Sequence, residues 1–324
     1  MRYGIIGTGW IAESFIEGVR LVTGGEISAV YSRSIDKGAD FAARNNIGEI
    51  YTDLESFANG NFDAVYVASP NAMHFIQSEK MLLAGKHVIC EKPVTVTNEE
   101  YRHLKYIADK NGLIFLEAIM YLHQPVVHKI REYTKKIGKI RSAHFDFSQL
   151  SSKYPAYLRG ETPNIFNPAL ATGGLMDLGI YCIYPALDLF GMPKNVSGSA
   201  VFLTTGADAA GSILFEYNDF LLTVTYSKTG QDYLGSQIIG ESGTIIMPSI
   251  SKLTDVSVRF NIDGREEHLT GDIQKAVLMG NEAKDFEKYT SGLDRNEYEN
   301  CCRLADEATV LTEKMRSVLG ICFK

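Results

Sequence analysis

A chain of 324 residues is too long for one simple core and fits two domains. Its 45% hydrophobic and 22% charged residues are ordinary for a globular protein, and a net charge of −7 argues against nucleic acid or an anionic membrane as partner. No apolar run approaches membrane-spanning length, the first strand starts too near Met1 for a signal peptide, and Cys90, Cys182, Cys301, Cys302 and Cys322 lack metal or redox spacing. The expectation is a cytoplasmic protein with reduced thiols and no metal.

The first third alternates strand and helix. Strands are predicted over 2–6, 26–31, 62–68, 87–90 and 113–120, and helices over 11–22, 36–45, 74–84 and 98–111. This pattern implies a parallel sheet with right-handed crossovers, whose ligands lie beyond the carboxyl ends of the strands. Gly7-Thr8-Gly9-Trp10-Ile11-Ala12 joins the first strand to the first helix. Gly7 permits the tight turn, Gly9 leaves room for a pyrophosphate, and the free N–H groups of the helix face that anion. Ser69, Asn71 and His74 follow the third of these strands, and Glu91-Lys92-Pro93 the fourth, on the same edge. These residues make up the expected dinucleotide site. The second strand ends Tyr31-Ser32-Arg33 with no acid to hold a ribose 2′-hydroxyl. Ser32 and Arg33 suit a 2′-phosphate, so NADP is favoured over NAD. In the alternative, Arg33 is a solvated surface residue and Asp36 reaches back to the ribose.

After about residue 122 the pattern changes. A connecting helix is predicted over 126–136 and a strand over 140–149, with mostly strands from 195 to 269. Two helices, 275–289 and 297–318, close the chain. The strands form a mostly antiparallel sheet with one open face that a helix or a second subunit could cover. The long irregular stretch 151–172 carries Tyr154, Arg159 and Asn164 and reads as a substrate-facing loop.

Two segments carry the candidate chemistry. Lys92 lies beside the ligand edge and can protonate or polarise a carbonyl if its pKa falls. In Gly173-Gly174-Leu175-Met176-Asp177-Leu178-Gly179-Ile180-Tyr181, the carboxylate and the phenol are four residues apart on one face of an apolar helix. The two glycines let the helix start approach a backbone or a flat ring closely. The pair is either a satisfied core contact or half of an acid–base site completed by Lys92 and a substrate hydroxyl.

Together with Gly85-Lys86-His87-Val88-Ile89-Cys90-Glu91-Lys92-Pro93 and Glu117-Ala118-Ile119-Met120, these motifs resemble the Gfo/Idh/MocA oxidoreductase family, in its order and across essentially the whole chain. The resemblance implies an α/β protein: an N-terminal Rossmann domain over 1–122, doubly wound on a parallel sheet, then an α/β domain over 123–324 with a large, mostly antiparallel open sheet. It implies reversible hydride transfer between NAD(P) and a sugar, polyol or related hydroxy compound, with a homodimer formed through that sheet. It makes Lys92 the catalytic lysine and Asp177 its partner. Tyr181 stands where many members carry histidine, which resembles the tyrosine branch with dimeric dihydrodiol dehydrogenase, glucose–fructose oxidoreductase and D-xylose dehydrogenase. Tyr184 stands where many carry aspartate, which speaks against an inositol dehydrogenase. A catalytically silent NADP(H)-binding sensor and a redox-assisted glycosidase are the other function classes compatible with the residues.

Overall fold

The structure, a computed structural model, describes residues 1–323. The chain divides into two compact units: Met1–Met120 with Gln274–Asp306, and Tyr121–Ile273 with the chain from Glu307 onward.

The first unit opens β1 (Arg2–Ile6), α1 (Trp10–Val22), β2 (Glu26–Tyr31), α2 (Ile35–Asn45), β3 (Glu49–Tyr51), α3 (Leu54–Ala58) and β4 (Ala64–Val67). It continues through α4 (His74–Leu83), β5 (His87–Glu91), α5 (Asn98–Lys110) and β6 (Phe115–Ala118). The six strands pair in parallel in the order β3-β2-β1-β4-β5-β6. The order reverses between β1 and β4, which opens a crevice at their carboxyl ends. β4 is buried along its whole length, as a strand covered on both faces must be. The sequence reading missed β3 and α3, which are too short to show a period.

The second unit begins with α6 (Val126–Lys136), β7 (Ile140–Ser148) and a short α7 (Tyr154–Leu158), then α8 (Ile180–Phe190). Seven strands follow: β8 (Asn195–Phe202), β9 (Asp208–Glu216), β10 (Leu221–Ser227), β11 (Ser236–Gly240), β12 (Gly243–Met247), β13 (Ser257–Phe260) and β14 (Glu266–His268). They join β7 in one eight-stranded sheet, ordered β14-β13-β12-β11-β7-β10-β9-β8. Only the central β7–β10 pairing is parallel. Register places Val196, Phe215, Leu222, Ala143, Ile238, Ile245 and Val258 in one row across seven strands, and every one is buried. The alternate residues, among them Leu221, Thr223 and Ile239, are exposed and form the other face.

The chain ends in α9 (Lys275–Thr290) and α10 (Arg295–Leu319). The sequence places both in a second domain over 123–324; the contacts place α9 and α10 through Asp306 with the first unit instead. α1 and α9 touch backbone to backbone. A Cβ on Gly18 would lie 2.6 Å from the Ala276 carbonyl oxygen, and one on Gly280 would lie 2.6 Å from that of Gly18. Tyr3 of β1 donates a 3.0 Å hydrogen bond to Glu287.

Residues Pro168–Phe190 are long and apolar enough to cross a membrane, with mean hydropathy 1.3 in the most apolar window. That window is 83% buried inside the protein. It is a core helix.

Candidate active site

In the first unit the glycine turn is built around two different needs. Gly7 has φ +110°, and a Cβ there would lie 2.4 Å from the Ala68 carbonyl oxygen. Its glycine is demanded by the crossing of β1 and β4. A Cβ on Gly9 would meet no heavy atom of the described residues within 4 Å. Gly9 is the N-cap of α1 and makes no side-chain cap, so the first-turn N–H groups face that open space. This cradle fits a pyrophosphate. Thr8 and Ile11 are half-buried beside it, and Trp10 is 65% exposed with the Lys275 ammonium 3.6 Å above its ring.

The adjoining loops are braced from inside. The His74 ring is buried, its Nδ1 2.8 Å from the Pro93 carbonyl oxygen and its Nε2 2.9 Å from that of Ser69. Burial holds its pKa below the usual imidazole value. His74 therefore ties the β4 and β5 loops together as a wall rather than presenting an open edge to ribose. Ser69 donates to Gln77 at 2.6 Å, and Asn71 opens a short 3₁₀ turn, half-buried. Ser32 is also committed: it is buried, and its hydroxyl donates to the Ser34 carbonyl at 2.9 Å within the turn that starts α2. Arg33 is the exposed residue at the end of β2.

Glu91 ends β5 and is buried, accepting from the Tyr66 hydroxyl and, at 3.2 Å, from the Lys92 N–H. Burial raises its pKa, opposed by the Lys92 charge. Lys92 itself is half-buried and joined to Pro93 by a cis peptide bond. The backbone beyond is held by Glu117, which accepts from Val94 N–H at 3.1 Å.

Glu282 of α9, which the sequence reading passed over, is 1% exposed, and neither carboxyl oxygen has a hydrogen-bond partner among the described residues. Burial raises its pKa well above the ordinary value of 4.5, and the charge of Glu91 adds to this. A protonated Glu282 suits the fold. Its contribution to stability is full below the unfolded value and is lost as pH rises toward the raised folded value. Glu282→Gln keeps the shape without the titration, so its Tm advantage over the parent should widen between about pH 5 and about pH 8. A gap independent of pH in thermal melts contradicts this.

In the second unit, residues 171–187 are buried except at two positions, Asp177 and Tyr181. The helix starts with a π turn, Leu175–Gly179, before α8, a feature frequent at functional sites. The expected close approach to a flat ring exists, and the ring is Tyr226 of β10. A Cβ on Gly174 would lie 2.7 Å from that ring, and one on Gly211 would lie 2.5 Å from its hydroxyl. The Leu175 N–H donates to buried Asp208 of β9 at 2.7 Å. At the far end of α8, Asp188 accepts from Tyr121 at 2.9 Å and pairs with Arg131 at 2.8 Å. Tyr181 packs edge-on against Phe147 with ring centroids 5.2 Å apart. Asp177 forms an ion pair with Lys228, the residue after β10. Lys228 carries no signal in the sequence, because a lysine at a strand end is ordinarily solvated.

The loop over 151–172 contains α7 and folds on itself. Tyr154 and Tyr157 stack at 5.8 Å, and both contact buried Phe166. Arg159 is exposed and pairs with Glu161 at 2.8 Å. Asn164 is exposed, its carbonyl accepting from Thr172 at 2.7 Å.

Residues 1–118 match the oxidoreductase family with an NAD-binding Rossmann fold, Gfo/Idh/MocA, and residues 128–246 match its C-terminal domain. This chain belongs to the Gfo/Idh/MocA family. It is 35% identical over 324 residues to scyllo-inositol 2-dehydrogenase (NADP(+)) of Bacillus subtilis, covering 100% of this chain and 98% of that one. It is 29% identical over 265 residues to trans-1,2-dihydrobenzene-1,2-diol dehydrogenase of Mus musculus, covering 78% and 75%. The fold matches a 3-ketoreductase from Actinomadura kijaniata, crystallised with NADP and TDP-benzene, at TM-score 0.82 and 23% identity over 98% of both chains. The chain is an NAD(P)-dependent oxidoreductase of CH–OH groups. The expectation drawn from Tyr184 stands beside a full-length relative that is an inositol dehydrogenase. Tyr184 is a fully buried core residue here.

Proposed function

We propose that this oxidoreductase interconverts a carbinol and a carbonyl on a polyol, cyclitol or sugar-like compound, with NADP as the preferred cofactor and Tyr181 as the group that exchanges the hydroxyl proton. The observation that carries this reading is the exposure of Asp177 and Tyr181 alone in an otherwise buried run. A carboxylate and a phenol kept part-exposed on one face of an apolar core helix are placed to meet a polar ligand. A bound nicotinamide supplies the hydride acceptor or donor. In the first unit Gly7–Gly9 would hold its pyrophosphate and Lys92 would polarise a substrate oxygen; in the second, Asp177 would accept a substrate hydroxyl. The substrate class follows the relatives, which act on an inositol and on a cyclic diol.

A spectrophotometric screen of NADP(H) and NAD(H) against cyclitols, aldoses, ketoses and cyclic diols tests it. Net reduction of NADP by a cyclitol or diol is expected. Tight NADPH binding without oxidation by any carbonyl in the panel would favour a sensor, and glycoside cleavage without net reduction would favour the glycosidase.

The NADP preference rests on exposed Arg33, on the absence of an acid at the end of β2 and on a relative whose name carries NADP(+). With Ser32 turned into its own loop, Arg33 bears the 2′-phosphate. Arg33→Ala should weaken NADPH binding by roughly ten- to a hundredfold and leave NADH binding within about twofold, measured by fluorescence titration. Equal losses for both contradict the assignment.

The open sheet face, with Leu221 48% exposed beside Ile239 and Thr223, supports a homodimer formed through it. Sedimentation equilibrium reads this directly.

A further inference from the structure

We propose that Lys228 is a positioning residue for the reaction: it holds Asp177 ionised and fixed on the accessible face of the site helix. This rests on the function proposed above and deepens it.

Asp177 needs a cation, and the second unit supplies its own. Lys228 pairs with Asp177 Oδ2, with the lysine side chain 5% exposed and the aspartate 26% exposed. The ammonium is thus inside the fold and the carboxylate half open to it. A lysine buried to this degree stays charged only beside an anion, and the carboxylate stays ionised beside it. Its placement is rigid. The Lys228 N–H donates to the Ala209 carbonyl at 2.8 Å, one residue from Asp208, whose carboxylate receives the Leu175 N–H. Tyr226, two residues before Lys228, packs on Gly174 and Gly179 of the same helix start. Two neighbouring strands therefore clamp the segment that carries Asp177, through the Asp208 carboxyl on a backbone N–H, a ring on glycines and a cation on the Asp177 carboxylate. Lys228 is too enclosed to touch a substrate and acts through Asp177.

Removing the ammonium leaves a part-buried carboxylate without its cation, so the Asp177 pKa rises and its protonated form enters the working range. Lys228→Met should then lower kcat/KM by roughly a hundredfold at about pH 6, mostly through KM, with recovery toward the parent value at about pH 9. Lys228→Arg keeps the charge and should restore the parent pH profile with a smaller loss. The Asp177→Asn/Lys228→Met double variant should be no slower than Asp177→Asn alone, with a flat acid limb. This pair of neutral residues also provides a folded comparison if Lys228→Met alone does not fold. The assay uses NADP and scyllo-inositol, or the first compound of the screen that the parent enzyme oxidises. A Lys228→Met enzyme within about threefold of the parent and with its pH profile unchanged overturns the inference, as does a double variant far slower than Asp177→Asn. A parent enzyme inactive on the whole panel overturns the proposed function instead.

Discussion

Tyr181→Phe is expected to lower kcat by about a hundred- to ten-thousand-fold while leaving NADPH binding within about twofold. The substitution keeps the ring that packs on Phe147 and removes only the hydroxyl, so a structural effect is small. A phenol titrates near about 10 and serves at neutral pH only when a cation stands beside it. Lys92→Met is the companion variant and should lower kcat in the same range. Steady-state kinetics on the purified variants, with cofactor binding by titration, separates the outcomes. Turnover of Tyr181→Phe within about fivefold of the parent removes the tyrosine from the chemistry.

Gly7→Ala should destabilise the protein by on the order of 3 kcal/mol, and Gly9→Ala by about 1 kcal/mol or less, the cost of an alanine N-cap. The contrast comes from what each Cβ meets. At Gly7 the backbone has φ +110°, outside the range of L side chains, and the new carbon would press on a carbonyl of β4's loop at 2.4 Å. At Gly9 the new carbon enters open space among the described residues. That space is where a pyrophosphate would sit, so Gly9→Ala should weaken NADPH binding by roughly tenfold or more while lowering the apo Tm far less than Gly7→Ala does. Thermal melts with and without NADPH read both effects. A Gly9→Ala protein that binds NADPH as the parent does would place the phosphates elsewhere.

Much of the first unit is legible from the sequence because its signals are local. A glycine turn, a run of buried β-branched residues and a C-cap glycine each speak within a few residues. β3 and α3 are missed because three and five residues carry no period. The return of α9 to the first unit is missed for a different reason. Its cause is the contact of Gly18 with Gly280, and nothing near either glycine in sequence announces the other. The same holds at the site. Asp177 and Tyr181 are found by their spacing, but Lys228 comes from a strand end 51 residues away from its partner. The hydrogen bond of the Ser32 hydroxyl within its own turn is likewise not announced by its place at the end of β2. The apolar stretch that forms α8 shows that hydropathy alone does not separate a core helix from a spanning one.

Isotope transfer tests the central claim most directly. The protein is mixed with NADP and carbon-deuterated cyclitols, polyols and cyclic diols, and the nicotinamide is followed by NMR. Deuterium delivered from the carbinol carbon to one face of nicotinamide C4, and abolished in Tyr181→Phe, is the predicted result. NADP held firmly with no deuterium gained from any compound, or gained equally with Tyr181→Phe, contradicts the account.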